Sequence, residues 1–308
     1  MKIVVFGTGG VGGYFGARLA QSGCDVTFVA RGRHYAAIKA HGLRIESPLG
    51  NFTLEAPRIV EHIGAVQQAD LVIVAVKLWD TDEAARSLAP LVSRGAAVVS
   101  FQNGVQKDET LGKHLPRESI IGGVCYIASV ISSPGVITHS GTMQKLVFGE
   151  YDGSRSARVQ AFHAACEKAG IAAEIADDIE RLIWEKYVFL VGLSGTTATI
   201  RRPIGAIRTH ARTRAFLFDV MHEVVAVGRA KAVRLPADFA ENRLAFCDTL
   251  PEGMTSSMHH DLENGNRLEL PWLSGGVASL GEALNVPTPR NRTIADILEL
   301  SADGRVSG

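Results

Sequence analysis

The sequence predicts an α/β chain in two parts, an N-terminal Rossmann-like doubly wound sheet followed by an all-α C-terminal domain. Three observations predict it. Residues 1–31 read as strand, glycine turn, helix, strand. Continuous apolar runs at residues 69–77 and 96–100 are typical of parallel strands covered on both faces. Past Ser154 strand signals almost vanish and helical periodicity takes over.

In the opening unit, residues 2–6 form a β-branched apolar strand, and a helix over about residues 11–21 carries Val11, Phe15 and Leu19 on one face. Between them Gly7-Thr8-Gly9-Gly10-Val11-Gly12 is a G-x-G-x-x-G. The first glycine permits the tight turn, the second lets backbone N–H groups approach a pyrophosphate, and the third allows close helix–strand packing. This context, strand before and helix after, makes it a dinucleotide site. The second strand, residues 26–30, ends in Arg31-Gly32-Arg33 with no acid to hold a ribose 2′-OH. A guanidinium there suits a 2′-phosphate, so the cofactor expected is NADPH, with Arg31 the first choice and Arg33 the second.

The 308 residues are enough for two domains with sizeable cores. Lys plus Arg and Asp plus Glu balance at 32 each, so no global field recruits nucleic acid or an anionic membrane. There is no signal peptide pattern and no apolar run of about 18 residues, and a soluble cytoplasmic protein is expected. Cys24, Cys125, Cys166 and Cys247 lack C-x-x-C spacing, which fits reduced core thiols and no zinc site.

Along the chain, residues 34–40 read as helix, and residues 43–46 and 52–55 as a hairpin around Pro48-Leu49-Gly50-Asn51. His34 and His41 look exposed and are given no role. The strand at residues 69–77 ends in Lys77, and the next is followed by Gln102-Asn103-Gly104. Ligands in doubly wound sheets bind beyond the carboxyl ends of strands, so Lys77 and Asn103 are placed to reach the cofactor. Residues 120–130, 136–139 and 146–149 read as separate strands, with His139 a surface residue. Helices follow near residues 178–193, 209–232, 237–250, 256–264 and 271–284, and after Pro289. The domain boundary falls near Asp177, giving residues 1–177 and 178–308 with no flexible linker, and the cleft between them is the default substrate site.

Two stretches offer chemistry. Leu182, Lys186, Leu190 and Leu193 share one helical face. A lysine in an apolar stripe is partly stripped of water and gives up its proton more readily, though a lysine that snorkels to solvent fits the pattern equally. Glu269 stands just before Pro271 opens a helix, either an acid for the site or a capping residue. His259-His260-Asp261 invites a metal, but adjacent helical histidines point about 100° apart and no partner cluster is visible, so no metal is expected.

Taken in order, these stretches resemble the ketopantoate reductase (2-dehydropantoate 2-reductase) family over nearly the whole chain. The carriers are residues 7–12, the strand ending at Lys77, Gln102-Asn103-Gly104, Trp184-Glu185-Lys186, Thr255-Ser256-Ser257-Met258 with Asp261, Arg267-Leu268-Glu269-Leu270, and Val286-Pro287-Thr288-Pro289. The resemblance implies NADPH-dependent reduction of a 2-oxo acid to a 2-hydroxy acid, by default ketopantoate to pantoate in pantothenate biosynthesis, with a homodimer allowed for. It implies Lys186 as catalytic lysine, Glu269 as its partner at the new hydroxyl, and Ser257 as receiver of the substrate carboxylate. Thr8, Val11 and the glycines would hold the pyrophosphate, and Asn103 the nicotinamide ribose.

One departure stands out. Where the family carries amide side chains toward the substrate, this sequence has Leu190, Ser194 and Met254. A site without those amides gives up discrimination for the substrate hydroxyl, which opens a less polar 2-oxo acid as alternative. Arg201-Arg202, just after the helix, offer a carboxylate clamp or a solvated pair. A non-catalytic NADP(H)-binding regulator is the reading from another class. A phosphogluconate-type dehydrogenase would set its lysine in a glycine-containing helix motif, which Ile183-Trp184-Glu185-Lys186 lacks.

Overall fold

The β-branched run Ile3-Val4-Val5 forms β1 (Lys2–Phe6), buried from its second residue onward. The computed structural model describes residues 1–305 and falls into two units, Met1–Ile179 and Glu180–Gly308. In the first, β1 leads through glycines into α1 (Gly10–Gln21) and back to β2 (Asp25–Val29). Next come α2 (Gly32–His41), the antiparallel pair β3 (Leu43–Glu46) and β4 (Phe52–Leu54), and the short β5 (Arg58–Val60). β6 (Leu71–Val74), α3 (Thr81–Val92), β7 (Ala97–Ser100) and α4 (Lys107–Gly112) continue the alternation. The unit closes with β8 (Ile120–Ser133), β9 (Val136–Gly149), α5 (Ala157–Lys168) and β10 (Ala172–Ile175).

The strand order is β4-β3-β9-β8-β7-β6-β1-β2-β5, with β10 pairing β9 off that path. From β8 through β5 every neighbour is parallel. Phe6 pairs with Val29 on one side and Val74 on the other, so the loops leaving β1, β2 and β6 emerge side by side. This is the point where strand order reverses, and it is where an open α/β sheet binds its ligand. Ile3 and Val5 join a core with Phe15 and Leu19 of α1, whereas Val4 and Phe6 join one with Leu88 and Leu91 of α3. Burial on both faces is why these strands read as continuous apolar runs.

The structure corrects several readings. Residues 136–139 and 146–149 are not separate strands but parts of β9, paired antiparallel to β8 along a 14-residue ribbon with a register shift at Ile127/Ala128. His139 is buried, not on the surface. Its Nδ1 meets Ser47 Oγ at 2.9 Å and its Nε2 the Met143 carbonyl at 3.0 Å, and its ring packs on Tyr14. β5 has only three residues and left no pattern.

The second unit is helical: α6 (Ile179–Ile200), α7 (Ile204–Thr209), α8 (Ala211–Ala230), α9 (Phe239–Asp248), α10 (Ser257–Asn264), α11 (Ser274–Leu284) and α12 (Pro289–Leu298). α6 runs two turns past the predicted end because Ser194 to Thr197 bury their short side chains, and Thr196 and Thr197 donate back to the Gly192 and Leu193 carbonyls. The helix expected over residues 209–232 is α8, and α7, which ends at extended His210 just before it, left no signal of its own. Pro271 lies in a 3₁₀ turn, Leu270–Trp272, ahead of α11. Among the described residues no helix is long and apolar enough to cross a membrane.

Candidate active site

The turn from β1 into α1 is shaped by contacts only glycine permits. Gly7 has φ +103°, and a Cβ there would stand 2.6 Å from the Val76 nitrogen. A Cβ on Gly12 would stand 2.2 Å from the Gly7 carbonyl oxygen and 3.0 Å from Val5 Cγ1, so α1 rests directly on β1. Gly9 is different: nothing among the described residues lies within 4 Å of its Cβ position. It precedes α1, whose first backbone N–H groups have no partner within the helix, and the open side is where an anion can approach them. Thr8 is buried and fixed, with its N–H and hydroxyl both donating to the Val29 carbonyl at the end of β2.

Gly10 and Gly13 have another cause. A Cβ on Gly10 would meet the Ser129 carbonyl oxygen at 2.3 Å, and one on Gly13 would meet Ile137 Cδ1 at 2.0 Å. The β8–β9 ribbon therefore lies on the first turn of α1, a contact made by residues more than a hundred positions away and invisible in the local motif.

Around this turn, Arg31 is exposed and stands immediately before α2, just past β2. Arg33 is exposed in the first turn of α2. Lys77 is exposed past β6, with its Nζ 5.6 Å from the centre of the Trp79 ring. Asn103 is half-buried in the loop after β7, and that loop is pinned at both ends. The Gln102 amide donates to the Val76 carbonyl at 2.9 Å and to Thr81 Oγ1 at 2.8 Å. Buried Lys107 donates to the Ser100 carbonyl at 3.1 Å and to Asp108 at 2.7 Å, and Tyr151 donates to the same Asp108 oxygen. His34, read as exposed, is half-buried: its Nδ1 accepts from the Gly135 N–H at 3.0 Å. Burial holds its pKa below the usual histidine value, opposed by a backbone hydrogen bond at Thr8.

In the second unit, α6 carries Lys186 and, one turn on, Leu190, both half-buried. The next residue, Tyr187, is fully buried and donates to the Trp272 and Leu273 carbonyls at 2.8 and 3.0 Å. Burial pushes this phenol far up, so Tyr187 is a fixed strut and no proton donor. Buried Glu269 opens the same turn, its carbonyl accepting from the Trp272 and Leu273 N–H groups. Tyr187 thus ties the lysine's helix to the segment that carries the acid.

Farther along α6, Ser194 is fully buried and its hydroxyl has no hydrogen-bond partner among the described residues. Thr197 Oγ1 meets Ser256 Oγ at 3.1 Å, and Ser256 caps α10 by accepting from the His259 N–H. Ser257 is exposed at the first position of α10, and Met254 is half-buried, its carbonyl accepting from the Ile204 N–H. Arg201 and Arg202 are exposed, Arg201 in the left-handed region with φ 57°. Among the described residues no group of three or more His, Cys, Asp or Glu side chains is arranged to hold a metal. The His259 and His260 rings lie 6.1 Å apart and nearly perpendicular.

The model of the ketopantoate reductase PanE/ApbA family matches residues 3–153, and that of the family's C-terminal domain matches residues 178–301. The chain belongs to the ketopantoate reductase family. It is an oxidoreductase. An uncharacterized oxidoreductase of Bacillus subtilis (strain 168) is 32% identical over 97% of this chain and 98% of its own. A 2-dehydropantoate 2-reductase of Halobacterium salinarum is 30% identical over 98% of this chain and 99% of its own. A PanE/ApbA family ketopantoate reductase from Ralstonia eutropha JMP134 superposes with a TM-score of 0.89 at 32% identity, covering 98% of each chain. Family membership fixes the class of protein.

Proposed function

We propose that this protein reduces a 2-oxo acid to the 2-hydroxy acid with NADPH, the family's default substrate being ketopantoate, converted to pantoate in the pantothenate route. The observation that carries the reading is Lys186, half-buried on α6 and adjoining Tyr187, whose hydroxyl is bonded to the turn opened by Glu269. When bound, NADPH supplies a hydride from its nicotinamide C4. The amides around Gly9 and the first turn of α1 receive the pyrophosphate, Arg31 pairs with the 2′-phosphate, and Asn103 and Lys77 orient the nicotinamide end. The open side of Gly9 fits a phosphate, and exposed Arg31 fits NADPH over NADH.

As the carbonyl carbon accepts the hydride, negative charge grows on its oxygen. The Lys186 ammonium stabilises that charge and passes a proton to it, completing the hydroxyl. Glu269 accepts a hydrogen bond from the new hydroxyl and orients the lysine. Ser257 and the N-terminal amides of α10 receive the substrate carboxylate.

A second reading for the substrate has its own support. Leu190 and Met254 present half-buried apolar side chains, and the Ser194 hydroxyl is sealed inside the fold. A less polar 2-oxo acid suits such side chains. NADPH oxidation with ketopantoate beside branched and aromatic 2-oxo acids tests both readings. Preference for ketopantoate by orders of magnitude removes the apolar reading; preference for a branched or aromatic acid removes ketopantoate. Turnover of none of them removes the proposal.

A further inference from the structure

Lysine is almost never fully buried unless it is paired, and Lys107 is only 2% exposed. It opens α4, directly after the loop of residues 101–106 that carries Asn103. β7 is paired with β8 only through Val98 and Val99, and at the next residue the Ser100 carbonyl accepts from Lys107 Nζ at 3.1 Å. The ammonium also donates to Asp108 Oδ2 at 2.7 Å, and that buried carboxylate accepts from the Tyr151 hydroxyl at 2.6 Å. The Arg117 guanidinium covers the Tyr151 ring, 4.0 Å from its centre. Residues 100 and 107 are thereby joined, and the loop between them has fixed ends. Inside it Gln102 is fastened as well. Its N–H donates to Ser100 Oγ at 3.3 Å, its side-chain oxygen accepts from the same hydroxyl at 2.9 Å, and its amide nitrogen donates to the Val76 carbonyl, one residue before Lys77. Gly104, with φ +82°, makes the turn immediately after Asn103.

We propose that Lys107 is a positioning residue for the nicotinamide end of the cofactor: paired with Asp108, it ties the start of α4 to the end of β7 and so fixes where Asn103 reaches. This rests on the assignment of Asn103 to that end of NADPH. A buried ion pair is a weak source of stability, because the desolvation of both charges offsets their attraction. What the pair supplies here is direction: the ammonium joins a strand-end carbonyl to a carboxylate that Tyr151 holds from the other side, and Asn103 lies within the closed loop.

The test is calorimetric titration of NADPH and of 2′,5′-ADP into the parent, Lys107→Met/Asp108→Asn, Asn103→Ala and the variant combining all three changes. 2′,5′-ADP carries the adenosine and its 2′-phosphate and lacks the nicotinamide end. Removing both charges together leaves no unpaired ion in the core, and the new amide still accepts from Tyr151, so the double variant should fold. It is expected to bind NADPH about fivefold more weakly, as for one lost hydrogen bond, and 2′,5′-ADP with the parental Kd. Because Lys107 acts through Asn103, the combined variant should bind NADPH no more weakly than Asn103→Ala alone. Tyr151→Phe, a milder change at a half-buried position, should weaken NADPH about twofold and carries the test if the double variant does not fold. Equal weakening of 2′,5′-ADP, additive losses in the combined variant, or a parental NADPH Kd in the variants of the ion pair and of Tyr151 overturns the inference alone. An Asn103→Ala protein with the parental NADPH Kd overturns the assignment of Asn103, and the inference with it.

Discussion

Gly12 and Gly7 are in contact through the floor of the cofactor turn: a Cβ on Gly12 would sit 2.2 Å from the Gly7 carbonyl oxygen, with Ala75 Cβ at 2.9 Å behind it. One neighbour is a backbone oxygen and the other a Cβ, so neither can turn away. Gly12→Ala should therefore cost about 1–3 kcal/mol of stability and lose NADPH binding with it. Gly9→Ala meets nothing within 4 Å, so it should melt like the parent and still bind NADPH more weakly, because the methyl fills the side an anion approaches. Thermal unfolding with fluorescence titration of NADPH separates the two. Equal melting temperatures for both variants would remove the packing argument.

Arg31 is exposed beside α2, so its loss should leave the fold intact. Arg31→Ala is expected to raise the NADPH Kd about tenfold or more and leave NADH nearly unchanged, since only the 2′-phosphate contact disappears. Arg33→Ala should have the smaller effect. An Arg31→Ala protein that weakens both cofactors alike would show the arginine acting elsewhere.

The opening βαβ unit was legible because its evidence is local: a β-branched run, glycines and a helical stripe within residues 1–31. The long ribbon was not. The middle of β9, His139-Ser140-Gly141-Thr142-Met143-Gln144, is mostly polar or glycine, and the register shift breaks the alternation that marks a strand. The same break disguised His139, whose burial depends on Ser47 and Met143 satisfying both ring nitrogens. In the candidate site, Lys186 and Glu269 stand out by their positions, whereas their roles, and Ser257 altogether, come through the family pattern. The contacts around them, Tyr187 on Trp272 and His259 on Thr197, join positions 85 and 62 residues apart and leave no periodic trace.

Leu190 and Met254 give a direct handle on substrate choice. Introducing asparagine at both positions should raise kcat/KM for ketopantoate relative to a branched apolar 2-oxo acid by about tenfold or more, because a hydroxyl-reading site discriminates through its polar partners. Both positions are half-buried, so the double variant should fold. An unchanged ratio in competition assays would mean these side chains do not face the substrate.

Acid stability has an identifiable contributor in Glu150. Desolvation pushes its pKa up, but hydrogen bonds from Arg158 and Ser156 together outweigh it and hold the carboxyl below the usual glutamate range. With the folded pKa depressed, the contribution is present above the unfolded value and is lost as pH falls through the folded one. Thermal unfolding across that acid range should show the parent losing stability more steeply than Glu150→Gln, which starts lower and changes less. Parallel curves would assign the acid sensitivity to other groups.

Lys186 is assigned the task of stabilising and protonating the reduced carbonyl oxygen without holding NADPH itself. That assignment is tested most directly by comparing Lys186→Ala with the parent for kcat on the preferred 2-oxo acid and for NADPH Kd. The expected result is a fall in kcat of about a hundredfold to ten-thousandfold with the Kd unchanged. A variant that keeps its kcat, or that loses NADPH binding in step with activity, would contradict it.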